Sequence, residues 1–191
     1  THCISSAASD VYKRQQLADP IIEVGPGTGS LTSELLKDNY RIKAVEIDGN
    51  LAEILNERFI DVPNLEIFNE DAMEFDYTQL QGPWWIFVSN LPYNIGTRLL
   101  VKLITEVPVI HRYVVMVQKE VGDRIVANPG GKEYGALSVL FKLFTESKIQ
   151  FDVSKNCFYP PPKITSSVLT IQRETISVSY THLTLPTICS V

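Results

Sequence analysis

The chain has 191 residues, 45% of them hydrophobic, which is enough apolar material for one full core with little left for a second, so one main domain is expected. Its longest apolar runs, such as residues 84–88, are far too short to cross a bilayer, and no membrane role is expected. A formal net charge of −5 argues against an autonomous, high-affinity nucleic-acid binder.

The two ends differ in character from the middle. Codons that spell Asp10-Val11-Tyr12-Lys13-Arg14-Gln15 can be read on the opposite strand, in a shifted frame, as Val178-Ser179-Tyr180-Thr181-His182. Such an inverted repeat resembles a transposon-end sequencing adaptor, so residues 1–15 and 178–191 are expected to be foreign tails around a natural segment, 16–177. Within that segment His111 is the sole histidine and Cys157 the sole cysteine. A histidine-based triad, a Cys/His metal site and a disulfide framework are therefore disfavoured, and a reducing cytoplasm or organelle matrix is the expected compartment.

Residues 21–24 are a short β-branched run that stops at Gly25-Pro26-Gly27-Thr28-Gly29, and residues 30–37 then carry Leu31, Leu35 and Leu36 at helical spacing. This reads as strand, glycine turn and helix. Residues 41–47 read as a second strand, 49–59 as a helix with Leu51, Ile54 and Leu55 inward, and 65–68 as a third strand. The near-continuous apolar run 84–88, beginning at Trp84, suits a central strand buried on both faces. A helix over 97–104, a strand over 113–117, a helix over 119–126, an exposed and mobile loop over 128–132 and a helix over 135–144 follow. Strands over 148–153 and 167–171 complete the set. The alternation predicts an α/β fold with a mostly parallel sheet of seven strands, ending in an antiparallel hairpin on the sheet edge.

Charge is unevenly placed. Residues 16–97 hold 4 Lys/Arg against 14 Asp/Glu, whereas 98–163 hold 10 against 6, so the second half is the polyanion-facing half if there is one. Lys119, Arg124 and Lys132, near the 128–132 loop, are candidates for phosphate contacts that position a polyanion without reading it. A mixed solvated surface explains the charge alone equally well. His111 reads as a surface residue, and Cys157 as a small packed side chain.

Three strand ends carry the chemistry. Glycines at 25, 27 and 29 alternate, unlike the Gly-x-Gly-x-x-Gly of a pyrophosphate site, yet a glycine turn at the carboxyl end of the first strand lets a ligand approach the backbone. Glu46, ending the second strand, is placed to accept hydrogen bonds from the two ribose hydroxyls of an adenosine, and Asp71, after the third, from its adenine amino group. Taken singly, the turn is also explained by structure, and each carboxylate by solvation. The most specific signal is Ser89-Asn90-Leu91-Pro92-Tyr93-Asn94 after the apolar strand. Asn90-Leu91-Pro92-Tyr93 resembles the Asn/Asp-Pro-Pro-Tyr class of tetrapeptide in enzymes that methylate planar exocyclic amines. An adenine amino nitrogen is a weak nucleophile because its lone pair is delocalised. Acceptors on its two hydrogens, the Asn90 side-chain oxygen and a backbone carbonyl near Leu91 or Pro92, favour a pyramidal nitrogen without a strong general base. Tyr93 would stack on the extruded base. The plain alternative is a turn in which Pro92 fixes φ and Asn90 caps the next helix.

Together with Ala44-Val45-Glu46-Ile47-Asp48, Val117-Gln118-Lys119-Glu120-Val121, Tyr134-Gly135-Ala136-Leu137-Ser138-Val139 and Phe158-Tyr159-Pro160-Pro161-Pro162-Lys163, these segments resemble the KsgA-type ribosomal RNA adenine dimethyltransferases, in family order over residues 21–171. The resemblance implies a Rossmann-like class I S-adenosylmethionine-dependent methyltransferase that dimethylates two adjacent adenines of small-subunit ribosomal RNA during ribosome biogenesis. It implies that Gly25, Gly27, Glu46, Ile47, Asp71, Ala72 and Asn90 contact S-adenosylmethionine. It further implies that Asn90, Leu91, Pro92, Tyr93 and Phe158 form the catalytic group, with Phe158 a second aromatic wall, though an edge-strand core aromatic is the other explanation of that residue. The expected partner is small-subunit ribosomal RNA or the pre-ribosomal subunit, with no metal and a monomeric protein. By that resemblance, the family's amino-terminal cover segment and its small carboxy-terminal helical domain are expected to lack a counterpart in this sequence. An Erm-type large-subunit RNA methyltransferase that confers antibiotic resistance is the nearest rival, and a non-catalytic RNA-binding assembly factor on the same fold is the rival from another class.

Overall fold

The computed structural model describes residues 19–82, 84–157 and 164–174. The expected foreign tails and Phe158 lie outside them. Among the described residues seven strands, β1 (Ile21–Val24), β2 (Ile42–Val45), β3 (Leu65–Phe68), β4 (Trp85–Asn90), β5 (Ile110–Gln118), β6 (Thr145–Val153) and β7 (Ser166–Arg173), form one sheet in the order β3-β2-β1-β4-β5-β7-β6. The first five pair in parallel, and β7 enters antiparallel between β5 and β6. The terminal hairpin is thus present, with its first strand, β6, at the edge. Strand order reverses between β1 and β4, which opens a crevice at their carboxyl ends, the usual place for a ligand in such a sheet.

Among the described residues five α-helices cover the sheet: α1 (Ser30–Leu36), α2 (Gly49–Arg58), α3 (Gly96–Glu106), α4 (Lys119–Val126) and α5 (Ala136–Phe144). In α3, Leu99, Leu100, Leu103 and Ile104 are all fully buried, a single apolar stripe at helical spacing. They pack on one sheet face with Phe87, Tyr113, Leu169 and Phe141 of α5, while Ile21, Ile86, Val114 and Val168 pack on the other face with Leu35 of α1. Burying each such side chain stabilises the fold by about 1.5–3 kcal/mol. Burial also pushes the Tyr113 hydroxyl up to about 12, so it stays neutral.

Several expectations are corrected. Trp84 does not belong to the central strand: it is 44% exposed and its ring lies against His111, 5.2 Å between centroids. Pairing with β5 begins only at Trp85, which is fully buried and donates its indole N–H to the Gln81 carbonyl, 3.1 Å. Ile54 is 47% exposed, because α2 buries the narrow stripe of Ala52 and Leu55. His111 is half-buried, 3.0 Å from the Trp85 carbonyl at Nδ1 and 3.5 Å from Asp19 at Nε2, and burial pushes its pKa down. Finally, β6 starts at Thr145, directly off α5 without a loop.

Gly29 sets how α1 meets α2. With φ 79 it is left-handed, and a Cβ there would come within 2.7 Å of the Phe59 ring and 2.8 Å of Leu55. Gly29→Ala is expected to cost about 2 kcal/mol from the left-handed backbone and the displaced side chains, read as a lower denaturation midpoint. An unchanged midpoint would show that this packing relaxes freely.

Candidate active site

The glycine turn begins where β1 runs out of ladder, with Gly25 N–H donating to the Val45 carbonyl, 3.0 Å. Gly25, Gly27 and Gly29 all have positive φ, 67, 58 and 79. Around Gly27 nothing lies within 4 Å of where a Cβ would sit, so the tip of the turn faces open space.

Glu46 follows β2 and is 5% exposed. Its Oε2 accepts from the Gly27 N–H, 3.0 Å, and its Oε1 from the Asp48 N–H, 3.1 Å, which ties the turn to the end of β2. Each carboxylate oxygen has a further lone pair for a ligand hydroxyl. Asp48 then caps α2, accepting from the Asn50 and Leu51 N–H groups at 2.9 and 3.3 Å, so local capping holds this strand end in place. Ile47 is 67% exposed, a large aliphatic surface beside a buried carboxylate. Asp71 is exposed and accepts from the Met73 N–H, 2.8 Å, with Ala72 buried next to it.

Glu23 is a site residue to which sequence reasoning gave no role. It lies within β1, is 1% exposed, and accepts a 2.8 Å bond from the Thr32 hydroxyl of α1. Burial, opposed by the Thr32 bond and reinforced by the Glu46 charge, raises its pKa to about 7. The signal was a lone carboxylate inside the otherwise apolar run Ile21-Ile22-Glu23-Val24.

The end of β4 is held against β1 by the Ser89 hydroxyl, which donates to the Val24 carbonyl, 2.6 Å. Asn90 is exposed at the strand end, and its side chain bonds no described residue. It caps no helix: α3 has Ile95 at its amino-terminal cap and no side-chain bond there. Leu91 is buried and donates its N–H to the Met116 carbonyl, 3.1 Å. Pro92 reaches over the glycine turn, its Cγ 3.6 Å from where a Gly25 side chain would begin. The Pro92 carbonyl accepts from Gly96 N–H at 2.9 Å and Ile95 N–H at 3.3 Å, which starts α3. Of the two backbone carbonyls considered from sequence, that leaves Leu91, whose oxygen no described donor engages. Tyr93 is 44% exposed, and its hydroxyl lies 3.0 Å from that of Ser166. A small pocket beside it is lined by Leu91, Tyr93, Thr97, Val117, Gln118 and Val121.

Lys119 already has acidic partners. Its Nζ pairs with Asp152 at 2.7 Å and Asp123 at 3.5 Å; the bond to Asp152 raises the lysine pKa and lowers that of the aspartate. Arg124 and Lys132 form no ion pair with a described residue. Among the described residues no three His, Cys, Asp or Glu side chains group as a metal site requires, and no helix is long and apolar enough to cross a membrane.

Residues 7–185 match the family described as ribosomal RNA adenine dimethylase. The chain is 44% identical over 175 residues to Ribosomal RNA small subunit methyltransferase A of Thermotoga maritima, covering 91% of this chain and 61% of that protein. It is 42% identical to the protein of the same name from Geobacter metallireducens, covering 88% and 62%. This chain thus spans about three fifths of the length of the curated relatives it matches. Among solved structures it resembles a dimethyladenosine transferase from Plasmodium falciparum, 28% identical with TM-score 0.76, over 88% of this chain and 60% of that one. The 23S rRNA methyltransferase ErmE is 26% identical with TM-score 0.77, over 90% and 68%. Sheet order, terminal antiparallel hairpin and these likenesses together make the fold that of the class I S-adenosylmethionine-dependent methyltransferases, and the sequence matches show that the chain belongs to the ribosomal RNA adenine dimethylase family.

Proposed function

We propose that this protein transfers methyl groups from S-adenosylmethionine to the exocyclic N6 of two adjacent adenines in small-subunit ribosomal RNA, two on each, as part of ribosome biogenesis in the cytoplasm. One observation supports the reading: Asn90-Leu91-Pro92-Tyr93 ends the central strand β4 with Pro92 against the glycine turn, so the tetrapeptide and the turn share one crevice.

The residues present fit the cofactor. Open space at Gly27 admits a ligand against the backbone, and the Glu46 carboxylate has lone pairs for ribose hydroxyls. The exposed Ile47 and small Ala72 suit the faces of an adenine, and Asp71 suits its amino group. Gly25 and Asn90 complete this set. When bound, S-adenosylmethionine supplies an electrophilic methyl group carried on a sulfonium.

The chain's own residues prepare the nucleophile. The Asn90 side-chain oxygen and the Leu91 carbonyl accept the two hydrogens of the target amine, drawing its lone pair out of conjugation and towards the methyl group. Tyr93 stacks on the extruded base and keeps the nitrogen in line, with Phe158 proposed as the opposite wall and Pro92 fixing the backbone between. The amine proton leaves to solvent after transfer. No histidine is needed, and His111 stands at the far, amino-terminal end of β5.

The small-subunit target is favoured over the large by the curated relatives, whose printed name specifies the small subunit at 37–44% identity. Labelled S-adenosylmethionine offered with immature small subunits or with large-subunit RNA tests it. Label in the small-subunit RNA is expected. Label chiefly in large-subunit RNA would favour the Erm-type reading, and none in either would favour a non-catalytic assembly factor.

A further inference from the structure

Tyr93 is 44% exposed, yet its hydroxyl is anchored to a buried strand. Its partner, Ser166, is fully buried as the first residue of β7, 73 positions away in the chain. That strand end is itself clamped. Lys119 N–H donates to the Thr165 carbonyl at 3.0 Å, Ser167 donates to Asp152 at 2.6 Å, and Asp152 pairs with Lys119 at 2.7 Å. The carboxyl ends of β5 and β6, the start of α4 and the start of β7 are thereby joined at the point from which Ser166 reaches the tyrosine. A phenol held at its far end cannot swing about its χ angles as a free surface tyrosine does.

We propose that Ser166 is a positioning residue for methyl transfer, holding the Tyr93 hydroxyl so that the ring keeps the angle at which it stacks on the target base. This rests on the reading that Tyr93 stacks on that base. It has a consequence for product distribution. A primary amine offers two hydrogens, one each to Asn90 and Leu91. After the first transfer and loss of a proton the nitrogen carries one methyl and one hydrogen, so only one of those acceptors still orients it. Stacking then bears more of the alignment, and the second transfer depends more on a fixed ring than the first.

Ser166→Ala and Tyr93→Phe remove the same bond from opposite ends, the second without altering the buried strand. In single-turnover transfer, each is expected to slow the second methylation about tenfold and the first only about twofold, with monomethyladenosine accumulating. Affinity for S-adenosylmethionine should stay within about twofold, and the double variant should resemble either single one. Independently of turnover, an RNA hairpin carrying 2-aminopurine at the target position should be quenched less by both variants than by the unaltered chain. An unchanged mono- to dimethyl ratio and unchanged quenching in both would overturn the positioning role. So would equal loss of both transfers together with cofactor binding in Ser166→Ala while Tyr93→Phe behaves normally, since that marks a merely structural serine. If the unaltered chain itself gives no quenching, the stacking role of Tyr93 fails instead.

Discussion

Asn90→Ala is expected to lower methyl transfer by at least about a hundredfold, the scale seen when one preorganised polar group is removed from a transition state. Binding of S-adenosylmethionine should largely survive. The asymmetry follows from where Asn90 sits. Its side chain is exposed and bonds no described residue, so its removal strands no buried partner, and stability should change by no more than about 0.5 kcal/mol. The other groups proposed to hold the cofactor are mounted elsewhere: the Gly27 N–H ties the glycine turn to the Glu46 carboxylate, and the Glu70 N–H ties the segment after β3 to the Glu46 carbonyl. The methyl-accepting amine would keep only the Leu91 carbonyl as an acceptor and remain conjugated to its ring. Asn90→Asp keeps an acceptor oxygen and should retain more activity than the alanine variant. Transfer rates and cofactor affinity measured side by side check this. An alanine variant with a near-normal rate would end the proposed role of the tetrapeptide.

Glu23→Gln is expected to stabilise the ligand-free protein at pH 8 and to flatten its stability between pH 5 and 8. The glutamate has a pKa of about 7 in the fold against its ordinary 4.5, chiefly because burial penalises the charged form. A raised folded-state pKa means that the native state holds the proton more tightly than the unfolded chain. Its contribution is therefore fully present below about 4.5, declines as pH rises, and is lost above about 7. The gap corresponds to roughly 3 kcal/mol, a sizeable part of a domain's stability. Glutamine fills nearly the same volume, can still accept from Thr32 through its carbonyl oxygen, and never ionises. Urea denaturation at pH 5.5 and 8.0 should show the parent losing stability towards the higher pH and the variant losing much less. Equal losses in both proteins would show that Glu23 does not titrate in this range.

Much of this was legible in sequence because it is written in local patterns. Val24 running into three alternate glycines, the run into Asn90, and the alternation of strand and helix are each decided by residues within a few positions of one another. Such patterns set element type and place the motifs at strand ends. Local pattern is also why Trp84 and Trp85 looked alike. Only pairing with Ile110, 25 positions on, decides that the strand begins at the second of them.

The remainder depended on partners distant in the chain. Lys119 reads as a free cation until Asp152, 33 residues later, is brought to 2.7 Å from it. Pro92 looks equivalent to Leu91 as an acceptor until the first turn of α3 takes its carbonyl. Glu23 carries no sign of its proton affinity, since that comes from burial under α1 and from the charge of Glu46. The placement of these motifs at strand ends was thus determined by sequence alone. Which oxygens, charges and rings are free to act was decided only by the tertiary structure, because hydrogen bonding and desolvation depend on what the fold places within a few ångströms rather than on neighbours in the chain.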